Sequence, residues 1–163
     1  MLDAIDRLLA PFARGLHMLA AVWLFLLAFL ILADVLGRGL FAAPIQGTPE
    51  LVANSIVSIA FLQLTHSVRM RGMLRADFLD AFVSPRARTV LHVVGYVVGV
   101  AFFLAIAYAS WGPMLRAWEI SEYQGEGALR VPTTPVRIII VVTSVLAALA
   151  YLGLAVKALR GEE

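Results

Sequence analysis

Three histidines, His17, His66 and His92, and a few carboxylates are the side chains of this sequence best suited to chemistry. Imidazole binds haem and transition metals, so three histidines at one depth suggest a haem or metal site of the kind found in membrane anchor subunits of oxidoreductases. The plainer reading is that such histidines are solvated or hydrogen-bonded at an interface. There is no cysteine, which removes disulfides, thiolate metal sites and cysteine nucleophiles from consideration. Among the acids, Asp34 is the one that would matter to a small autonomous exporter, because a chain that moves charge needs an ionisable group inside its membrane helices.

What must position these residues is a set of membrane helices. The chain has 163 residues, of which 61% are hydrophobic and 15% charged, with a mean hydropathy of +0.89, a balance outside that of a water-soluble domain. A helix crosses the roughly 30 Å hydrocarbon core with about 20 apolar residues. Four gaps between charges are long enough: Arg14 to Asp34, Glu50 to Arg69, Arg88 to Arg116 and Arg137 to Lys157. They predict spans near 16–36, 50–68, 90–112 and 136–157 within a single membrane domain covering 1–163. The first span is read as retained and not as a cleaved leader, since its apolar run is long and Asp3 and Asp6 spoil a cationic start.

Basic loops stay in the cytoplasm. Arg7, Arg14, Arg69, Arg71, Arg75, Arg86, Arg88, Lys157 and Arg160 fall on one side of a four-span topology, against Arg38, Arg116, Arg130 and Arg137 on the other. This asymmetry predicts cytoplasmic termini and a cytoplasmic middle loop. That loop reads as an amphipathic interfacial helix over about 69–83, since at about 100° per residue Met70, Met73, Leu74, Phe78, Ala81 and Phe82 gather on one side. Asp77 projects from the middle of that apolar face. A carboxylate there needs a cation or a donor. Either it pairs locally, or it locks the helix against the bundle or a neighbouring subunit.

The centres of the spans, "VWLFLLAFL", "SIVSIAFLQ", "VGVAFFLAI" and "VVTSVLAAL", hold no charge. Such a chain is poorly equipped to carry cargo alone. It is equipped for packing. Gly95 and Gly99 form a small-xxx-small pair, continued by Ala101, Ala105 and Ala109, which suits either a neighbouring subunit or an internal helix. Asn54, Ser55, Ser58 and Gln63 can hydrogen-bond between helices, most simply within the bundle.

Of the outer loops, the first carries a turn at Gly47 and a helix start at Pro49-Glu50, with Glu50 placed favourably at a helix N-terminus. The second is expected to run from Pro113 to Pro135, with Glu119, Glu122 and Glu126 among Trp111, Trp118 and Tyr123. Interfacial anchoring explains the aromatics, and a solvated charge run or a basic partner explains the acids. Pro132 and Pro135 return the chain to the last span.

Together these residues resemble the small membrane subunit, DctQ-like, of tripartite ATP-independent periplasmic (TRAP) transporters over nearly the whole chain. "RGLFAAPIQGTPEL" is similar to the family's end of the first span and start of the second, "RGMLRADFL" matches its Gly, basic, Asp stretch at Gly72, Arg75 and Asp77, and "RVPTTPVR" resembles its Pro-containing approach to the last span. Gly39, Met73 and Thr134 depart from the pattern, standing where an aromatic, His and Trp are frequent. The resemblance implies an all-α membrane protein of four transmembrane helices plus the interfacial helix, in a bacterial inner membrane. It implies no enzymatic activity, no cofactor and no nucleic-acid partner. It implies a large multi-span permease subunit (DctM-like), a periplasmic solute-binding protein and membrane lipids as partners, with uptake of a carboxylate or similar anion driven by sodium. Arg38, Glu50, Arg75, Asp77, Gly95, Gly99, Arg130 and Pro132 are then expected to organise the subunit and its interfaces and not to touch solute.

Overall fold

A computed structural model of the chain describes residues 2–70, 84–125 and 130–160. Within them four helices are long and apolar enough to cross a membrane. They are α1 (Leu2–Phe41), α2 (Thr48–Arg69), α3 (Pro85–Glu119) and α4 (Thr134–Arg160). In hydrocarbon every backbone N–H and C=O must be satisfied inside the chain, which is why each apolar run becomes a helix whatever its residue propensities. The helices outrun the expected spans at every end. α1, with 40 residues, extends roughly 60 Å, twice the thickness of the hydrocarbon core.

Local chemistry sets the ends. Gly47 takes a left-handed conformation (φ 80°) to cap α2, with Thr48 and Pro49 opening the helix and Glu50 in its first turn. Ser84 caps α3 by accepting from the Ala87 N–H at 3.4 Å, and Pro85 follows in the first turn, where its missing N–H costs nothing.

The second outer loop is shorter than expected, because α3 continues through Pro113 to Glu119. Proline clashes with the Cβ of the residue before it, and that residue is Gly112, which has none. One hydrogen bond is lost and the helix goes on. Beyond it the chain forms a feature the residue pattern did not suggest. Tyr123–Gln124 (β1) pairs antiparallel with Val131–Pro132 (β2), Tyr123 opposite Pro132 and Gln124 opposite Val131. Apart from this ribbon the described residues are helical or lie in short turns and irregular connections. The interfacial helix expected at 69–83 lies outside them beyond Met70, and so do Arg75 and Asp77.

The helices stand in a row in the order α1, α2, α4, α3. α2 packs on both α1 and α4, α3 packs on α4, and α1 only brushes α4. Burial follows that order: 33% and 39% of the most apolar stretches of α2 and α4 are buried, against 17% in α1 and 11% in α3. Apolar side chains at the edges meet no penalty in lipid, so association depends on close fit. Ala20, Leu27, Ile59 and Leu62 join α1 to α2, with Trp23 and Val52 beside them. Phe103, Ala147 and Ala148 join α3 to α4, and Tyr96, Ala155 and Ala158 extend that seam.

Polar groups at these seams are turned inward. Trp23 donates its Nε1–H to Ser55 Oγ at 3.2 Å, Ser58 donates to the Asn54 carbonyl at 2.8 Å, and Thr143 to the Ile139 carbonyl at 2.6 Å. Packing within the chain thus accounts for Ser55 and Ser58. The two glycines of the small-xxx-small pair part company. A Cβ on Gly99 would stand 2.8 Å from the Tyr151 ring, so α4 occupies that side. One on Gly95 would meet nothing within 4 Å.

Candidate functional site

The end of the row that carries the α1–α2 loop and the ribbon is built around two carboxylates. Asp34, 6% exposed, comes from the last turns of α1. Its Oδ2 accepts from Arg38 Nε at 2.9 Å and lies 2.8 Å from Arg38 Nη2, and its Oδ1 accepts from the Ile45 backbone N–H at 2.8 Å. Thr48 Oγ1 donates to the Ile45 carbonyl at 2.9 Å, so both polar groups of one loop peptide segment are held. The loop also folds back on the helix, Ala43 N–H donating to the Gly37 carbonyl at 3.1 Å while Ala42 adopts φ 50°. A Cβ at Gly37 would come within 2.8 Å of the Ala43 oxygen. That close return is what the glycine allows.

Glu122 anchors the second half. Its Oε2 lies 2.9 Å from Arg137 Nη2, its Oε1 accepts from the same nitrogen at 3.1 Å, and Thr133 Oγ1 donates to Oε2 at 3.1 Å. The Thr133 N–H donates to the Glu122 carbonyl at 3.0 Å, and Thr134 Oγ1 to the Ala117 carbonyl at 3.2 Å. Glu122 therefore serves the turn from α3 to α4 and does not present its charge outward as one of a free acidic cluster. The two halves are tied where Asn54 Nδ2 donates to Gln124 Oε1 at 3.0 Å, fastening α2 to the ribbon. An open groove of about 640 Å³ lies over this end, lined by Trp118, Glu122, Pro132, Pro135 and Ile138 among others.

The expected site residues are placed as follows. Arg38 holds Asp34, and Glu50 sits in the first turn of α2 with its carbonyl accepting from Asn54 at 3.0 Å. Arg130 lies over the Tyr123 ring, 4.5 Å from its centroid, and Pro132 forms part of the ribbon and of the groove wall. Arg38 and Glu50 thus belong to the loop half, Arg130 and Pro132 to the ribbon half, while Gly95 and Gly99 lie on α3 away from both. Sequence reasoning missed the Ile45 and Thr48 contacts and the Glu122–Arg137–Thr133 cluster. The spacing of four between Asp34 and Arg38 was the available signal for the first.

Two of the histidines do meet. His17 and His66 stack with ring centroids 4.5 Å apart and planes 21° apart, at the opposite end of the row, whereas His92 tilts against Tyr96 at 6.3 Å. Among the described residues no group of three or more His, Asp or Glu side chains is placed to hold a metal. Stacked rings aim their nitrogens along parallel planes and not at a common ion, so this geometry does not favour the haem-anchor reading. Nor is Asp34 a spare carboxylate for an autonomous exporter, its two oxygens being engaged in the loop.

The four-helix arrangement and the two end clamps can be set beside known proteins. A family model for tripartite ATP-independent periplasmic transporters, DctQ component, matches residues 27–161. The chain belongs to the DctQ family. The match takes in both carboxylate clusters, all of α2, α3 and α4, and α1 from Leu27 onward, so the resemblance carried by the three sequence segments extends over most of the chain. No curated protein and no solved structure matches the chain. A DctQ chain is a multi-pass membrane component of a transporter, and the family is one of transporter subunits and not of enzymes.

Proposed function

We propose that this DctQ chain is a brace: it packs beside a large multi-span permease subunit of the DctM type, widens that subunit's fixed scaffold, and presents its ribbon end to a periplasmic solute-binding protein. The family match carries this reading. Two features of the molecule support the supporting role. The span centres hold no charge, and the described helices stand in a row with α1 and α3 at its edges and not in a closed ring. The termini and middle connection lie on the cytoplasmic side of the inner membrane, in keeping with the excess of Lys and Arg there. The transported solute is an organic acid or similar anion, taken up with sodium, and its recognition belongs to the other two components.

Within this reading Arg38, Glu50, Arg130 and Pro132 shape the periplasmic end, and Arg75 and Asp77 lock the cytoplasmic connection. Gly95, open on the α3 face, leaves room for a neighbouring helix; Gly99 is already taken by Tyr151. The test is to tag this chain in cells that also make the large subunit and to isolate it in mild detergent. Recovery of the large subunit in equal amount, together with loss of solute uptake when this chain is deleted, is expected. Uptake that continues after deletion while the large subunit stays folded would overturn the brace. An Asp77→Asn variant should recover less of the large subunit, and unchanged recovery would remove Asp77 from the interface.

A further inference from the structure

The end of the row opposite the ribbon carries a cluster that bracing does not use. Arg14 and His17 are three residues apart on α1, and His66 and Arg69 three apart on α2, so each pair shares one helix face. The two faces meet. The imidazoles stack at 4.5 Å, and the charged groups acting on His66 among the described residues are His17, Arg14 and Arg69. His17 Nδ1 is buried and has no hydrogen-bond partner among the described residues. Arg69 has a further interaction of its own and contributes charge to the cluster.

A seam between two helices that gathers two guanidinium groups and two imidazoles repels a metal cation and suits an anion. The surroundings say which kind. Met18, Val22 and Phe25 continue the Arg14 face of α1 toward the middle of the helix at i+4, i+8 and i+11, exposed by 67%, 58% and 64%, so basic donors stand directly beside bare apolar surface. That juxtaposition is the chemistry of an anionic phospholipid, a phosphodiester with acyl chains attached. We propose that Arg14, His17 and His66 bind the phosphodiester of an anionic phospholipid at the α1–α2 seam, with Met18 and Val22 against its acyl chains. Arg14 supplies a forked donor and charge, and an imidazole N–H supplies a second donor to the phosphate oxygens. The site does not depend on the transporter reading, since it is confined to two helices of this chain.

The test uses the full chain in a neutral detergent, following thermal unfolding and lipid affinity with phosphatidylglycerol or phosphatidylcholine at equal mole fraction, and with inorganic phosphate alone. Phosphatidylglycerol is expected to raise the melting temperature where phosphatidylcholine and inorganic phosphate do not. Arg14→Gln should lower phosphatidylglycerol affinity roughly fivefold, the worth of one basic residue at an anionic surface. His17→Gln combined with His66→Gln should abolish the shift. Arg14 is exposed, so its variant reports on binding even if the histidine double variant does not fold. Arg160→Gln, an exposed basic change at the same end, should leave affinity unchanged. Equal shifts from both lipids, an equal loss in Arg160→Gln, or a shift from inorganic phosphate alone would each overturn the lipid site, the last by making it a site for free phosphate.

Discussion

Asp34 reaches across the first loop to the backbone N–H of Ile45, 2.8 Å away, while holding Arg38 with its other oxygen. An acid near the end of a membrane helix is thereby a fastener of chain path. Replacing it with Ala leaves the Ile45 N–H of a part-buried hydrogen bond without its partner, and Arg38, about half exposed at 54%, can turn to water. Asp34→Ala should lower unfolding stability in detergent by about 2 kcal/mol. Asp34→Asn keeps an acceptor for Ile45 and should cost about 1 kcal/mol or less. Equal losses for the two variants would show that the backbone contact contributes nothing.

Gly37 and Gly99 should both resist alanine, for different reasons. At Gly37 the new methyl would strike the Ala43 carbonyl oxygen, on a residue whose own N–H is tied to the Gly37 carbonyl, so the loop backbone itself must shift. At Gly99 it would strike the Tyr151 ring, itself stacked on Phe103 at 5.8 Å. Each change should destabilise by about 1–3 kcal/mol.

Gly95→Ala should do the reverse in the isolated chain. With open space around it and a helical backbone, alanine is expected to be neutral or to stabilise by up to about 1 kcal/mol. Thermal unfolding of the Gly95 and Gly99 variants side by side checks the split. A loss at Gly95 matching that at Gly99 would contradict the open α3 face.

Glu122 and Arg137 are each about one third exposed, at 35% and 32%, so solvent screens their attraction. A double-mutant cycle of Glu122→Gln and Arg137→Gln should give a coupling of about 1 kcal/mol or less, shrinking at high salt. Thr133→Val should add a separate loss of about 1 kcal/mol, because its hydroxyl bonds the same carboxylate and the Glu122 carbonyl. Coupling that is insensitive to salt would mean the pair is shielded from water.

The absence of native cysteine makes topology directly measurable. Gln46→Cys, exposed at the ribbon end, should react with an impermeant thiol reagent applied to the periplasmic side of intact cells. Met70→Cys, exposed at the other end, should react only after the membrane is opened. The opposite labelling pattern would reverse the proposed orientation.

Four helices long and apolar enough to cross a membrane, and the family, were legible in the residue order, because lipid allows a continuous chain few choices. An apolar run of sufficient length must close its own hydrogen bonds as a helix, and Gly47 and Pro49 mark the start of α2 through purely local backbone chemistry; Ser84-Pro85 does the same for α3 but went unread in the sequence. Pro113 misled as a loop start because the relief offered by Gly112 competes with proline's usual effect and neighbours alone do not decide the outcome. The row order α1, α2, α4, α3 was decided only in three dimensions, and so was the fate of each polar or small side chain that depends on it. Ile45 is eleven residues from Asp34, Gln124 seventy from Asn54, and Tyr151 lies on a different helix from Gly99. Spacing along a helix says which residues share a face, but which face meets a neighbour follows from how whole helices fit together.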